Sequence, residues 1–156
     1  MKVATLALIK QDGKVLLGEK KKGEIGTGIL SGPGGKLDAG ETLIECVIRE
    51  TFEEYGIQLL KEDIRQIARI TFYASGEPDF DVHIYHAGRF EGVLMETPDV
   101  KTPEWFPLET LPLSRMYDGD RHWFEKALGS EPFCANVYYK ERAKEFERIK
   151  FLPPDF

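Results

Sequence analysis

Residues Gly35 to Ile57 read GKLDAGETLIECVIRETFEEYGI. Thr42 and Glu45 stand at the three-residue spacing of a capping box, and Gly56 supplies a left-handed terminator, so the spacing predicts a helix over Leu43 to Tyr55. Along it Glu50, Glu53 and Glu54 fall at i, i+3 and i+4, one above another on a single face. Like charges so placed cost a few tenths of a kcal/mol per pair, and acids in the last turns oppose the helix dipole. A solvated acidic face is the ordinary reading of a Glu-rich helix. The surrounding positions argue against it. Gly35, Glu41, the pair Arg49-Glu50, the pair Glu53-Glu54 and Gly56 recur at fixed offsets, followed by apolar Ile57. At about 7% usage each, seven such positions coincide by chance with a probability on the order of 10⁻⁸ per starting point.

Before the helix, Lys2 to Lys10 and Lys14 to Gly18 read as strands joined by Gln11-Asp12-Gly13, in which Asp-Gly is a hairpin signal. Lys20 to Gly35 is rich in Gly and Lys and ends in Gly32-Pro33-Gly34-Gly35, which predicts an irregular loop whose backbone approaches a ligand closely. After the helix, Ile64 to Ala74, Asp81 to Phe90, Glu104 to Phe106 and Phe133 to Lys140 mix β-branched and aromatic residues between turn elements and read as strands. Asp120 to Leu128 reads as a helix, and Glu141 to Lys150 as a second, charged one. Strands that outnumber helices and come partly in hairpins predict an α/β (α+β) fold, a mixed sheet packed between helices.

The chain has 156 residues, 42% hydrophobic and 31% charged. That size suits one domain spanning residues 1–156, burying roughly 70% of the surface an unfolded chain exposes. No apolar run reaches the ~20 residues needed to cross a bilayer, and Met1 to Lys10 lacks a small-residue cleavage site, so mature sequence and no membrane partner are expected. Cys46 and Cys134 show neither metal-type nor redox spacing, and a reduced, cytoplasmic setting is expected. A net charge of −6 argues against stable nucleic-acid binding, which depends on basic residues displacing counterions. An acidic chain that handles phosphates needs local cations or a metal.

The Gly35 to Ile57 segment resembles the Nudix box, the signature of hydrolases acting on nucleoside diphosphates linked to another group. One departure is Thr51, where the family usually carries an aliphatic residue. The resemblance implies the Nudix fold, a mixed, curved sheet sandwiched between helices. It implies Mg²⁺, or Mn²⁺ in its place, held by Glu53 and Glu54 with the Gly34 carbonyl. Glu50 would bind metal or act as general base, Arg49 would orient the carboxylates, and Glu41 would stand beside the site or support the loop. The chemistry is consistent: hard cations prefer carboxylate and phosphate oxygens and activate water for attack on phosphorus.

Outside the box the chain is similar to the MutT-like branch that hydrolyses oxidised purine nucleoside triphosphates to the monophosphate and pyrophosphate. The phrases GEPDFDVHIY, EWFPLETLP and RMYDGDRHWF carry this likeness, with Thr5, Lys20 and Phe72. In that branch the purine lies between aromatic walls and is read by an Asn and two neighbouring carboxylates. Here Ser31 stands for the Asn, Tyr117 for a Trp, and Gly119 and Asp120 for the acidic pair, with Asp118 one step earlier. The implied substrate contacts are therefore Thr5, Lys20, Ser31, Phe72, Tyr117, Asp118 and Asp120. Taken singly, Phe72, Tyr117 and Trp123 read as core aromatics, Lys21 and Lys22 as solvated, Asp99 as an exposed turn residue, and His83 and His122 as uninvolved in catalysis. A purine nucleoside triphosphate is the leading substrate; a nucleoside diphosphate sugar or the 5′ triphosphate end of RNA is the alternative. A noncatalytic nucleotide sensor would be expected to lose the box carboxylates. Monomer and homodimer both remain open.

Overall fold

The computed structural model describes residues 1–23 and 26–156; Glu24 and Ile25, inside the predicted loop, lie outside the described residues. β1 (Lys2–Gln11) and β2 (Lys14–Glu19) form the predicted hairpin. Asp12 and Gly13 take φ of 49° and 73°, the left-handed pair whose twist suits a two-residue connection. The glycine-rich segment is more regular than its composition predicts. It contributes β3 (Leu30–Ser31), which pairs with β2, and β4 (Gly34–Lys36), which pairs with β1. Its glycines approach the protein's own backbone, since a Cβ on Gly34 would overlap the Thr5 carbonyl oxygen.

The helix α1 (Leu43–Tyr55) is followed by β5 (Gln58–Leu59), β6 (Arg65–Ala74), β7 (Glu77–Ala87), β8 (Phe90–Glu91) and β9 (Glu104–Pro107). Phe90, expected to end the β7 strand, instead belongs to β8, which pairs with β5. The chain continues through α2 (Phe124–Ala127), β10 (Phe133–Glu141) and β11 (Lys144–Leu152). β7 lies parallel to β1 and β10 parallel to β6, while the β6–β7, β10–β11 and β1–β2 pairs are antiparallel. The sheet is therefore mixed, ordered β11-β10-β6-β7-β1-β2-β3, with β9 on β2.

Alternation along β1 divides the interior into two layers, because successive side chains point to opposite faces. Ala7 and Ile9 meet Val47 and Tyr55 of α1 on one face. Leu8 meets Ile70, Ile84, Val137, Phe124 and Ala127 on the other. This is the mixed sheet between helices that the sequence leads one to expect. The single helix predicted over Asp120 to Leu128 is interrupted: a 3₁₀ turn, Asp120–His122, precedes α2, and Trp123 between them has φ −138°. Among the described residues no helix is long and apolar enough to cross a membrane.

The charged helix predicted over Glu141 to Lys150 is not a helix: residues 144–152 form edge strand β11. Its partly buried residues Phe146, Ile149 and Leu152 recur every three positions, which imitates a helical period. A bulge produces the first of these intervals, while Ile149 and Leu152 pair in unbroken register with Val137 and Cys134 and so face opposite sides. Between the Tyr138–Arg148 and Tyr139–Phe146 pairs one extra residue is inserted on β11, shifting the inward side chains out of strict alternation.

Candidate active site

α1 is capped as its sequence requires. The Glu45 amide donates to Thr42 Oγ1 at 3.1 Å, and the Gly56 amide, at φ 75°, donates to the Phe52 carbonyl at 2.9 Å. Cys46, Val47, Thr51 and Tyr55 are buried against the sheet, leaving Arg49, Glu50, Glu53 and Glu54 on the flank beside β4. Arg49 is the hub of that flank. It donates through Nε and Nη2 to the two oxygens of Glu41, at 2.6 and 2.9 Å. Nη1 reaches Glu50 Oε1 at 2.8 Å and both Glu53 oxygens at 3.3 Å, and Nη2 also reaches the Lys36 carbonyl at 3.1 Å. A planar five-donor fork can serve these acceptors at once where an ammonium could not. Glu41 also accepts the Asp38 amide at 3.0 Å, so it supports the loop, and the Arg49 hydrogen bond holds its carboxyl down at about 2.

The other two box acids have different environments. Glu50 lies under Gly35, where a Cβ would overlap its carboxylate, and burial raises its pKa against the opposing pull of Arg49. Glu54 accepts the Gly34 amide at 2.8 Å. Burial pushes its carboxyl up to about 7; the charges of Glu50 and Asp99 add to this, and Lys20 opposes it. Asp99, which reads in sequence as a turn acid, therefore stands near enough to influence Glu54 while pairing with Lys22 at 3.5 Å. Thr51 is fully buried and its hydroxyl has no partner among the described residues, the local cost of an alcohol at an aliphatic position. Glu41, Glu50 and Glu53 converge on Arg49, and among the described residues no three acids, histidines or cysteines form a ready-made cation cage. The donor chemistry nevertheless suits a hard cation. Glu50, Glu53, Glu54 and the Gly34 carbonyl are all oxygen ligands, and Glu54 is a half-buried acid held by the Gly34 amide with the charge of Lys20 nearby.

A cavity of about 200 Å³ runs from Glu54, Gly34 and Lys20 to Phe72, Tyr117, Asp120 and Trp123. Phe72 and Trp123 meet edge to face at 6.2 Å between ring centroids. Asp120 is buried and accepts the Tyr117 amide at 3.2 Å; burial pushes its carboxyl up to about 7. The indole N–H of Trp123 is buried and makes no well-formed hydrogen bond among the described residues, but it stands close enough to the Asp120 carboxyl to pull it down against burial. Lys20 donates to the Tyr117 hydroxyl at 3.3 Å. Ser31 also lines the cavity, its carbonyl accepting the Tyr55 hydroxyl at 2.8 Å. Two predicted contacts face elsewhere. The Thr5 hydroxyl lies 3.3 Å from Cys46 Sγ on the α1 side, so only the rest of Thr5 borders the cavity. Asp118 accepts the Phe146 amide at 3.1 Å, which turns its carboxylate to β11 and outside the cavity lining.

The NUDIX domain family model matches residues 1–127, which takes in both the carboxylate helix and most of the cavity. The chain belongs to the Nudix family. It is 38% identical over 140 residues to the oxidized purine nucleoside triphosphate hydrolase of Danio rerio, covering 89% of this chain and 86% of that protein. It is 34% identical over 139 residues to the protein of the same name from Mus musculus, covering 88% and 86%. Among solved structures, a MutT protein from Bacillus halodurans superposes with a TM-score of 0.82 over 99% of both chains at 23% identity, a likeness of fold. The chain is thus a Nudix hydrolase homologous to oxidised purine nucleoside triphosphate hydrolases.

Several residues of this Nudix cavity carry no signal in the sequence. Tyr139 lines it and its hydroxyl accepts the Gly119 amide at 2.9 Å, bracing the turn before Asp120. Asp79 and Arg142 line its far rim and pair through two hydrogen bonds of 2.7 and 2.6 Å. They are 63 positions apart, and only the meeting of the β6–β7 and β10–β11 turns brings them together. Both cysteines are free, and neither His83 nor His122 lines the cavity.

Proposed function

We propose that this Nudix hydrolase cleaves a purine nucleoside triphosphate, releasing the nucleoside monophosphate and pyrophosphate, with oxidised purines as its favoured bases. The observation that carries this reading is one cavity lined by two carboxyls of raised pKa: half-buried Glu54 beside the glycine strand, and buried Asp120 among aromatic rings. The names and coverage of the fish and mouse relatives support the same substrate class.

In this reading the polyphosphate lies along α1 and the base enters between Phe72, Tyr117 and Trp123, whose faces stack on any purine. With its carboxyl near neutral, Asp120 can be held protonated and then both donates and accepts, as a purine edge with an inserted oxygen requires. The Trp123 N–H, beside the Asp120 carboxyl, supplies a further donor in the same enclosed place. Ser31 adds a single hydroxyl. At the other end Glu53, Glu54, Glu50 and the Gly34 carbonyl would hold Mg²⁺, or Mn²⁺ as a stand-in. The chemistry supplied there is neutralisation of polyphosphate charge and Lewis-acid activation of water. Arg49 fixes the directions of Glu50 and Glu53 while Glu41 anchors Arg49, so the carboxylates need little reorganisation when charge develops at phosphorus. A carboxylate of the cluster accepts the proton of the attacking water as a new P–O bond forms and the bridging P–O bond breaks.

The test is a panel of dGTP, 8-oxo-dGTP, 2-hydroxy-dATP, ADP-ribose and a triphosphorylated RNA oligomer, with and without Mg²⁺, for the native chain and Glu53→Gln. We expect Mg²⁺-dependent release of monophosphate and pyrophosphate, fastest on an oxidised purine, and a loss of kcat of about 100-fold or more in the variant. Equal rates on dGTP and 8-oxo-dGTP would remove the oxidised-base preference. Absence of turnover on every nucleotide would remove the hydrolytic reading.

A further inference from the structure

Three consecutive lysines, Lys20, Lys21 and Lys22, enter the glycine-rich segment, and their ammonium groups have different fates. Lys21 is paired with Glu96 at 2.7 Å and Lys22 with Asp99 at 3.5 Å. Lys20 donates to the Tyr117 hydroxyl at 3.3 Å and lies 5.9 Å from the centre of that ring. Its backbone is fixed, with the amide bonded to the Ile29 carbonyl at 2.9 Å and the carbonyl to the Gly28 amide at 2.8 Å. A lysine held by a neutral oxygen keeps its full charge for an incoming anion, whereas Lys21 and Lys22 would have to give up a carboxylate first. Both Lys20 and Tyr117 line the cavity, and Lys20 stands near enough to Glu54 for its charge to act on that carboxyl.

The hydroxyl itself is closely surrounded. A Cβ on Gly26 would overlap it, so the loop backbone reaches the oxygen only because residue 26 is glycine. The amide of the same tyrosine is bonded to Asp120 at 3.2 Å. Tyr117 therefore spans the cavity from the buried carboxyl to the lysine, and a phenylalanine or tryptophan there would have no oxygen to accept from Lys20. We propose that Tyr117 is a positioning residue for phosphate: its hydroxyl holds the Lys20 ammonium beside the carboxylate helix, where it meets the polyphosphate of the substrate. This rests on the reading above that the polyphosphate lies next to Glu54.

The experiment is a double-mutant cycle of Tyr117→Phe and Lys20→Met, read by steady-state kinetics on the preferred nucleoside triphosphate and by calorimetry with tripolyphosphate and with guanosine. Removing the hydroxyl should raise KM for the triphosphate roughly three- to tenfold, the worth of one ordinary hydrogen bond, as suits a contact of 3.3 Å. It should weaken tripolyphosphate binding in step, while kcat and guanosine binding change less than twofold. Added to Lys20→Met, it should cause no further loss, because the coupling exists only through the ammonium. Thermal melting within a few degrees of the native chain, as expected for Tyr→Phe, separates these effects from misfolding. Losses that multiply independently in the double variant, or a fall in guanosine affinity matching that of the triphosphate, would overturn the proposal and leave the Tyr117 hydroxyl, like its ring, serving the base. Turnover by the native chain without coupling defeats the positioning role alone. Tripolyphosphate binding without turnover defeats the hydrolytic function and leaves the positioning role standing if coupling is present. Neither turnover nor tripolyphosphate binding defeats both.

Discussion

Replacing Asp120 by Asn should flatten the dependence of stability on pH. Asp120 is 5% exposed, and burial raises its carboxyl from the ordinary 3.8 to about 7. Its folded-state pKa therefore lies above its unfolded value, so the folded chain binds a proton that the unfolded chain has already released. The associated stability is complete below about pH 4 and disappears as pH rises through 7. Between pH 5 and pH 8 the change amounts to about two pKa units, about 3 kcal/mol at 1.36 kcal/mol per unit. At 2–4 °C per kcal/mol for a chain of this size, the melting temperature should fall by roughly 6–12 °C from this group alone. Asparagine keeps an oxygen for the Tyr117 amide and cannot ionise, so Asp120→Asn removes this group's share of the slope and leaves the packing in place. The assay is chemical and thermal denaturation of both proteins at pH 5, 6, 7 and 8. The difference between the two curves cancels other groups, including Glu54, whose carboxyl is also raised to about 7. The variant should gain about 3 kcal/mol on the native chain between pH 5 and pH 8. Parallel curves would refute the reasoning, as would a ¹³C titration placing Asp120 near 4.

Two other substitutions probe the carboxylate flank. Arg49→Lys keeps the charge but cannot bond Glu41, Glu50 and the Lys36 carbonyl together; with half-exposed Glu53 counted as negligible, the loss is about 2–3 kcal/mol, seen as a melting temperature lower by roughly 4–12 °C. Its kcat should fall while KM changes little, because the carboxylates lose their direction; an unchanged kcat would count against Arg49 as an orienting group. Gly35→Ala puts a methyl where the Glu50 carboxylate lies, displacing that acid and lowering kcat by up to about 100-fold, since about 1 Å of misplacement suffices. Native rates in that variant would show that Glu50 is not needed in its present position.

The carboxylate site was legible in the chain because its residues are local. A capping box and a glycine terminator define α1, and offsets of three and four along it place Arg49, Glu50, Glu53 and Glu54 together whatever the rest of the molecule does. The β1–β2 hairpin was legible for the same reason, through two residues of left-handed backbone at Asp12 and Gly13. The mixed sheet between helices also followed from the run of strand and helix signals. The tertiary structure decided what depends on neighbours distant in sequence. Residues 144–152 carry a helix-like period and became a strand because β10 offered an open edge and a bulge rephased the pairs. Asp118 and Asp120 are two residues apart, yet one accepts the Phe146 amide of β11 and the other is buried in the cavity, since the turn between them is held by Tyr139 from another strand. The raised carboxyls of Glu54 and Asp120, and the grip of Tyr117 on Lys20, likewise arise from burial and long-range contact. Spacing along a chain encodes which groups share a helix face; it does not encode how much water the folded protein leaves around them.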